Sequence, residues 1–226
     1  MPAHEPPNKL IVAHRGDRTH ARENTLEAFR AAIECGADMI EFDIRRTLDG
    51  SLVIHHDPAI NERSIAQTAY ADLLRYAPYH LPLLTEVLDL AAGRIQLDVE
   101  LKEPGYEKEV LRQIFDGRFS AVEFVITSFF PESLGAVADQ VRTGLLIEEM
   151  SWPAALELCR SLHPDFLAPE YTMVQSSPGI PLLPWTVNDP VAIERLLEVP
   201  DVFGVITDKP RDALRVRAPR THGSLF

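Results

Sequence analysis

Short apolar runs alternate with helix-patterned segments along almost the whole chain, and this alternation constrains the fold more than any other feature. Each predicted helix carries apolar residues at three- and four-residue spacing. The predicted strands are 9–14, 38–44, 51–56, 94–102, 123–129, 141–147, 165–169, 180–187 and 202–208. The predicted helices are 23–37, 84–93, 106–117, 131–140, 153–162 and 190–199. The pattern is typical of parallel strands joined by helical crossovers.

Two architectures fit such a pattern: an open doubly wound sheet and a closed (β/α)8 TIM-type barrel. Nine predicted strands are one too many for the barrel, so we expect 141–147 or 165–169 to lie outside it. The link between 38–44 and 51–56 is too short for a helix. By itself it predicts an antiparallel hairpin around Asp49-Gly50.

Composition limits the functional classes. The 226-residue chain has a formal net charge of −12, which argues against a nucleic-acid partner because such proteins need a basic surface. We expect Cys35 and Cys159 to be reduced packing thiols. The sequence carries neither a recognisable secretory signal nor a long apolar run, so we expect a cytoplasmic protein without a transmembrane segment. Nothing in the sequence predicts an oligomeric state.

The chain lacks internal repeats and linker-like stretches, and we therefore predict one domain over 1–226. The barrel is expected to occupy about 9–214. A polar, Pro-rich segment precedes it at 1–8. A basic tail follows at 215–226, within a weakly patterned stretch from Arg211 that is expected to be a frayed end.

Charged residues occupy every second position of two predicted strands. In 94–102, Asp98 and Glu100 alternate with apolar residues, and Glu41 and Asp43 do the same in 38–44. One half-exposed antiparallel strand would also alternate in this way. Parallel strands are usually buried on both faces, so the charges of two such strands are expected to point into the interior.

Three of these carboxylates, Glu41, Asp43 and Glu100, are predicted to hold one divalent metal ion. Carboxylates brought together without a counter-charge repel one another, and their oxygen atoms suit Mg²⁺ or Ca²⁺. The alternative is a buried ion-pair network with nearby basic residues. Those residues are Arg45, Arg46 and Lys102.

The remaining strand ends supply acid–base and anion-binding groups. His14 and His56 can act as a general base and a general acid near neutral pH. Arg15 and Lys102 can bind phosphate oxygens. Gly16 allows a sharp turn or close approach of a ligand. Together they predict a catalytic pocket for an anion at the strand ends.

Short motifs in a fixed order give the chain its resemblance to the glycerophosphodiester phosphodiesterase family. They span about residues 11–214, and their order makes the set far more specific than any one piece. The motifs are HRG at 14–16, ENTLEAF at 23–29, GADMIEFDI at 36–44, T-x-DG at 47–50, HD at 56–57, ELK at 100–102, TSF at 127–129, WTVND at 185–189 and ITDKP at 206–210.

The resemblance implies a TIM-type barrel and metal-dependent hydrolysis of glycerophosphodiesters to glycerol 3-phosphate and an alcohol. It implies metal ligands at Glu41, Asp43 and Glu100, catalytic histidines at His14 and His56, phosphate contacts at Arg15 and Lys102, pocket-lining side chains at Phe129 and Trp185, and supporting residues at Asn24 and Asp208. It also implies that the strand ending in His56-Asp57 runs parallel to its predecessor, in place of the hairpin.

The chain departs from the family pattern in two places. Arg22 stands where the family usually has a proline. The family's long insertion after the third strand is reduced to 58–80, which suggests a more open pocket.

Three other functions remain open at this stage. One is a lysophospholipase D or sphingomyelinase D-like cleavage of lipid phosphodiesters, although such enzymes are secreted and disulfide-bonded. Another is a non-catalytic barrel that binds phosphate esters. A doubly wound nucleotide binder is disfavoured because no glycine-rich phosphate-binding motif follows the first strand.

Overall fold

Parallel strand pairing dominates the structure, a computed structural model that describes residues 9–117 and 119–217. The predicted N-terminal segment 1–8 and most of the basic tail lie outside this range. The strands are β1 Leu10–His14, β2 Met39–Arg46, β3 Leu52–Ile54, β4 Ala59–Ile60, β5 Arg63–Ser64, β6 Gln96–Leu101, β7 Phe124–Ser128, β8 Thr143–Ile147, β9 Phe166–Pro169 and β10 Gly204–Thr207. The α-helices are α1 Leu26–Cys35, α2 Tyr70–Leu73, α3 Leu84–Ala91, α4 Glu107–Asp116, α5 Pro131–Gly135, α6 Trp152–Leu162, α7 Pro190–Leu197 and α8 Pro210–Arg217.

The parallel strands close into a TIM-type barrel. They pair in the order β10-β1-β2-β6-β7-β8-β9. Leu182 then bridges in parallel both to Leu167 of β9 and to Val202 just before β10. The segment 180–187 thus supplies the last strand position, and the predicted barrel is confirmed. The expectation that 141–147 or 165–169 lies outside it was wrong, since both are barrel strands.

The additional strand is β3, which forms an antiparallel hairpin with β2. Ile44 pairs with Ile54, and Arg46 pairs with Leu52. Gly50 takes a left-handed φ of 84° in the turn. A parallel connection needs about a dozen residues or more, and this link is far shorter. The hairpin predicted from Asp49-Gly50 is therefore confirmed, and the parallel pairing implied by the family resemblance was wrong.

Alternation along the strands separates the apolar shell from the barrel interior. On β6, Leu97, Val99 and Leu101 are buried against the surrounding helices. Asp98 and Glu100 on the opposite face are also buried, within the barrel. Burial of both faces is typical of parallel sheets, and it places charged groups where water is scarce.

Five of the six predicted helices begin and end near their predicted positions, whereas α5 ends at Gly135, five residues before the predicted end, and α2 and α8 were not predicted. Helix α1 begins after Thr25, whose hydroxyl accepts a hydrogen bond from the Ala28 amide, and ends at Gly36 with a φ of 83°. The stretch from Arg211, expected to be frayed, is helical as far as Arg217. A long-range ion pair anchors it, because Arg211 Nε lies 2.9 Å from Asp17 Oδ2.

The segment after β3 folds onto the side of the barrel as the short β4–β5 hairpin, a 3-10 turn and α2. Its residues Ile60, Ile65 and Leu73 form a small apolar cluster together with Val53 of β3 and Leu81. Among the described residues, no helix has the length and hydropathy needed to cross a bilayer. Both cysteines are free thiols, as expected.

Candidate active site

The carboxyl ends of the barrel strands surround a cavity of about 310 Å³. Its lining side chains are His14, Arg15, Glu41, His56, Asp98, Glu100, Lys102, Thr127, Phe129, Leu146, Glu148, Trp185, Thr186 and Ile206. Eight of the nine predicted site residues are in this set. The ninth, Asp43, lies buried directly behind it.

The three predicted metal ligands form one cluster. The register of β2 and β6 places Asp43 opposite Glu100, and ligand oxygens of Glu41, Asp43 and Glu100 lie within 4.8 Å of one another. Burial and the neighbouring carboxylates raise the pKa of Glu41 well above its usual value. The same causes raise the pKa of Glu100 to about 8. Burial also acts to raise the pKa of Asp43, but the charges of Arg15 and Lys102 outweigh it and lower that pKa.

The donor set of this cluster fits a hard divalent cation. Within the described part of the chain, Glu41 Oε1 and Asp43 Oδ1 are buried without a hydrogen-bond partner. Lys102 Nζ lies 3.2 Å from Asp43 Oδ1, outside hydrogen-bonding geometry. Unsatisfied buried carboxylate oxygens are costly, and Mg²⁺ and Ca²⁺ take such oxygens as ligands.

Of the three basic residues expected in an alternative ion-pair network, only Lys102 contacts the carboxylate cluster. Its ammonium lies 2.5 Å from Glu100 Oε1. Arg45 binds the His56 carbonyl and Glu103 instead, and Arg46 binds the Gly105 carbonyl. Arg15 contributes the second cation, so two cations face three carboxylates.

The two predicted catalytic histidines line the same cavity in different environments. His14 is largely buried, and its Nδ1 lies 2.7 Å from Asp208 Oδ1. Burial lowers the pKa of His14, although the hydrogen bond to Asp208 opposes this effect. His56 is more exposed, with Nδ1 2.9 Å from Asp57 Oδ1. In both rings a carboxylate at Nδ1 leaves Nε2 available for other contacts.

Arg15 is held by the carboxylates around it. Its backbone amide donates to Glu41 Oε2 at 2.9 Å, and its guanidinium lies 3.0 Å from both Glu23 Oε1 and Asp43 Oδ2. The backbone turns sharply here, with φ 56° at Arg15 and 87° at Gly16. These contacts orient a permanent cation towards the cavity.

Phe129 and Trp185 form an aromatic wall on the cavity. Their ring centroids lie 5.6 Å apart in an edge-to-face arrangement of 89°. The Trp185 indole N–H donates to the Ala168 carbonyl at 2.7 Å, which fixes the ring position. The Lys102 ammonium lies 5.9 Å from the centre of the Phe129 ring.

The residues expected to play supporting roles have defined contacts. Asn24 Nδ2 donates to Asp43 Oδ2 at 2.8 Å. Arg22, which replaces the family's proline, places its guanidinium 4.0 Å from the centre of the Tyr79 ring. This stacking is a structural contact beside the segment after β3, and Arg22 is not among the cavity-lining residues.

Sequence reasoning missed four of the cavity-lining polar or charged groups as site residues: Asp98, Thr127, Glu148 and Thr186. Asp98 carried a signal, since its position in the strand alternation puts it on the same face as Glu100. Thr127 and Thr186 lie inside the motifs TSF and WTVND. Glu148 follows β8 in a segment that carries no motif.

Comparison with known proteins gives a consistent family assignment. The model of the Glycerophosphoryl diester phosphodiesterase family matches residues 14–212. A glycerophosphodiester phosphodiesterase of Caldanaerobacter subterraneus is 31% identical over 92% of this chain and 97% of its own. A glycerophosphodiester phosphodiesterase of Bacillus altitudinis is 28% identical over 92% of this chain and 97% of its own.

Solved structures give the same fold. A glycerophosphodiester phosphodiesterase from Thermotoga maritima superposes with a TM-score of 0.82 at 25% identity, covering 94% of this chain and all (100%) of that one. A phosphodiesterase from Oleispira antarctica, solved with its product sn-glycerol-3-phosphate, has a TM-score of 0.77 at 21% identity. The superposition covers 92% of this chain and 96% of that one.

Proposed function

The chain belongs to the glycerophosphoryl diester phosphodiesterase family, and on that premise we propose that it hydrolyses glycerophosphodiesters to glycerol 3-phosphate and an alcohol. One observation carries the proposal. Two histidines, two cations and a buried carboxylate cluster with unsatisfied oxygens meet at one cavity. The names of the relatives support the same reaction.

In this proposal Glu41, Asp43 and Glu100 hold one divalent ion, Mg²⁺ or Ca²⁺. When bound, such an ion supplies a Lewis acid that polarises a phosphoryl oxygen. The carboxylates gain a counter-charge that Arg15 and Lys102 alone do not provide.

Arg15 and Lys102 bind the non-bridging oxygens of the phosphate. Burial acts to lower the pKa of Lys102, but Glu100 and Asp43 raise it, so the side chain stays charged. The contacts of Arg15 with Glu23 and Asp43 fix its guanidinium before substrate arrives. Cations held in place in this way stabilise developing negative charge at little cost in reorganisation.

His14 and His56 carry the protons. One removes the proton from the attacking oxygen, and the other protonates the leaving alcohol oxygen. For a glycerol ester, the neighbouring hydroxyl is the better-placed nucleophile, because intramolecular attack gains effective concentration. That step forms a cyclic phosphodiester and releases the alcohol, and water then opens the ring with the histidines in exchanged roles.

The test is release of glycerol 3-phosphate from glycerophosphocholine and glycerophosphoethanolamine with Mg²⁺, with Ca²⁺ and with EDTA. We expect metal-dependent release that falls about 10²–10⁴-fold in His14→Ala and in His56→Ala. His80→Ala is the matched control, because His80 is bound to Glu86 on the surface. Full activity in both site variants would contradict the histidine assignment.

Two further assays distinguish the proposed function from a lipid phosphodiesterase and from a non-catalytic binding protein. Turnover of lysophosphatidylcholine in preference to glycerophosphocholine would favour the lipid phosphodiesterase function. Metal-independent binding of phosphate esters without turnover of any of these substrates would favour a binding protein.

A further inference from the structure

One buried carboxylate at the cavity is used by neither the metal cluster nor the histidines. Asp98 is completely buried on β6 and lines the cavity. It lies two residues before Glu100, on the same face of the strand and opposite Glu41 in the β2–β6 register. One strand repeat is about 6.6 Å, so Asp98 lies one layer deeper in the barrel than Glu100.

The two oxygens of Asp98 differ in their partners. Oδ1 accepts a hydrogen bond from the Thr127 hydroxyl at 2.6 Å. Oδ2 has no hydrogen-bond partner anywhere in residues 9–117 and 119–217. Because Thr127 has only one O–H to donate, it cannot serve both oxygens. A buried acceptor of this kind needs a donor from a ligand or an ordered water.

The surroundings of Asp98 indicate the chemistry of that donor. Arg15 and Lys102 make their ion pairs with Glu23, Asp43 and Glu100, and no ion pair in the described part of the chain reaches Asp98. Asp98 is also absent from the group of carboxylates that converge within 4.8 Å. A hydrogen-bond donor is therefore a better fit to Oδ2 than a second metal ion.

The rest of this layer is apolar. Leu146 and Ile206 line the cavity and belong to an apolar cluster inside the barrel, against which Trp185 packs. An anionic group would be desolvated by these apolar neighbours. A hydroxyl on a short carbon chain satisfies both features, because its O–H donates to Oδ2 while its carbon atoms contact the apolar side chains.

We propose that Asp98 Oδ2 accepts a hydrogen bond from a hydroxyl of the substrate's glycerol unit, which occupies the part of the cavity beside Asp98 and its cross-strand neighbour Glu41. Asp98 is thus a specificity-determining residue for a polyol phosphate. The inference rests on the proposed function for the position of the phosphate, and it adds the group that recognises the glycerol.

The experiment compares two small phosphate monoesters that differ only in their hydroxyls, sn-glycerol 3-phosphate and n-propyl phosphate. Binding of each to the full chain is measured by calorimetry in Mg²⁺ or Ca²⁺. The wild type is expected to bind the glycerol ester about 10- to 100-fold more tightly. In Asp98→Leu, which keeps the side-chain shape without an acceptor, this preference is expected to fall below about threefold.

Asp98→Asn should recover part of the preference, because its amide can donate to the hydroxyl oxygen. Thr127→Val removes the hydrogen bond to Oδ1 without removing the Oδ2 acceptor, and it is expected to change the affinities for both esters by the same factor. Circular dichroism and melting temperature of each variant establish that the barrel is folded.

The outcomes separate this inference from the proposed function. Equal binding of the two esters by the wild type, or an unchanged preference in Asp98→Leu, would show that Oδ2 meets only water. An equal loss of affinity for both esters in a folded Asp98→Leu variant would mean that Asp98 supports the carboxylate cluster and does not contact the glycerol unit. The experiment measures binding of the esters and not their turnover. A lack of turnover would therefore overturn the proposed function, while the role of Asp98 in binding could still be decided.

Discussion

His14 Nδ1 lies 2.7 Å from Asp208 Oδ1, although the two residues are separated by 194 positions in the chain. β1 and β10 are paired neighbours in the barrel, so the closure of the sheet creates this contact. Asp208 also accepts hydrogen bonds from Arg18 Nη1 at 2.6 Å and from Asn188 Nδ2 at 2.7 Å. The carboxylate is therefore held in place on three sides and fixes the His14 tautomer with the proton on Nδ1.

Replacing this carboxylate is expected to impair proton transfer more than binding. An asparagine at position 208 can present an N–H to His14 and favour the wrong tautomer, which typically costs 10²-fold or more in kcat. We expect Asp208→Asn to lower kcat for glycerophosphocholine about 10²–10⁴-fold with KM within a few-fold of wild type. Steady-state kinetics with glycerophosphocholine and glycerophosphoethanolamine would measure the effects on kcat and KM separately.

Arg18→Gln is the matched control for Asp208→Asn. It removes one contact of Asp208 and leaves the His14–Asp208 hydrogen bond in place. We expect a loss in kcat below about tenfold, because half-exposed ion pairs contribute little. Equal losses in the two variants would mean that Asp208 acts through Arg18 and not through His14.

Metal binding to the carboxylate cluster is expected to stabilise the fold. A ligand at 100 times its dissociation constant adds about 2.7 kcal/mol, which corresponds to roughly 5–10 °C for a chain of this length. We expect Mg²⁺ or Ca²⁺ to raise the melting temperature by that amount, and Glu41→Gln to remove most of the shift. Scanning fluorimetry with and without EDTA measures it.

Asp57→Asn is the control for the metal experiment. Asp57 is an exposed carboxylate beside His56 and does not belong to the cluster. The variant should keep the metal-induced shift in melting temperature. A shift that survives in Glu41→Gln, or one that disappears in Asp57→Asn, would contradict the assignment of the ligands.

The carboxylate cluster could be predicted from sequence because its residues obey a local rule. Alternation puts Glu41 and Asp43 on one face of β2 and Glu100 on the charged face of β6, and burial of parallel strands turns both faces inwards. The role of Asp98 does not follow from that rule. It depends on the register with β7, where Thr127 uses one carboxylate oxygen and leaves the other free.

The β2–β3 hairpin could be predicted from local features of the sequence, whereas helix α8 could not. Asp49-Gly50 and a short link predict β3 antiparallel to β2, and that prediction is correct because chain length alone prevents a crossover. Helix α8 could not be recognised in the same way. Its apolar pattern is weak, and its anchor is the pairing of Arg211 with Asp17, 194 residues away.

Gly16 of the HRG motif is expected to be costly to replace. Its φ of 87° is unfavourable for other residues, and a Cβ there would lie 2.6 Å from the backbone carbonyl carbon of Ala28. Strain costs about 1–2 kcal/mol and overpacking against backbone about 1–3 kcal/mol. We expect Gly16→Ala to lower the free energy of unfolding by about 2–5 kcal/mol in urea titrations.

Gly36→Ala separates the strain from the steric overlap. Gly36 has nearly the same φ, 83°, with nothing within 4 Å of an added Cβ. Its replacement should therefore cost only the strain, about 1–2 kcal/mol. Comparable losses in the two variants would mean that α1 shifts easily away from Gly16.

Asp17 is expected to make stability depend on pH in the acid range. Its carboxylate is buried and accepts hydrogen bonds from the Thr19 amide at 3.1 Å and from Arg211 Nε at 2.9 Å. Burial acts to raise the pKa of Asp17, but the hydrogen bonds from the Thr19 hydroxyl, Arg211 and the Thr19 amide outweigh it and hold the pKa below its usual value. We expect Asp17→Asn to cost about 1–3 kcal/mol at pH 7.

The sign of the pH dependence follows from the lowered pKa. In the unfolded chain this carboxyl titrates near about 3.9, so the stabilisation is fully present above that pH. This stabilisation is lost as the pH falls through the lower pKa of Asp17 in the folded state. The difference between wild type and Asp17→Asn in urea unfolding should therefore shrink as the pH falls below about 4. Asp212→Asn, an exposed partner of Arg215, should differ from wild type by less than about 0.5 kcal/mol throughout. A wild-type advantage over Asp17→Asn that grows as the pH falls below about 4 would mean that the ionised carboxylate destabilises the fold.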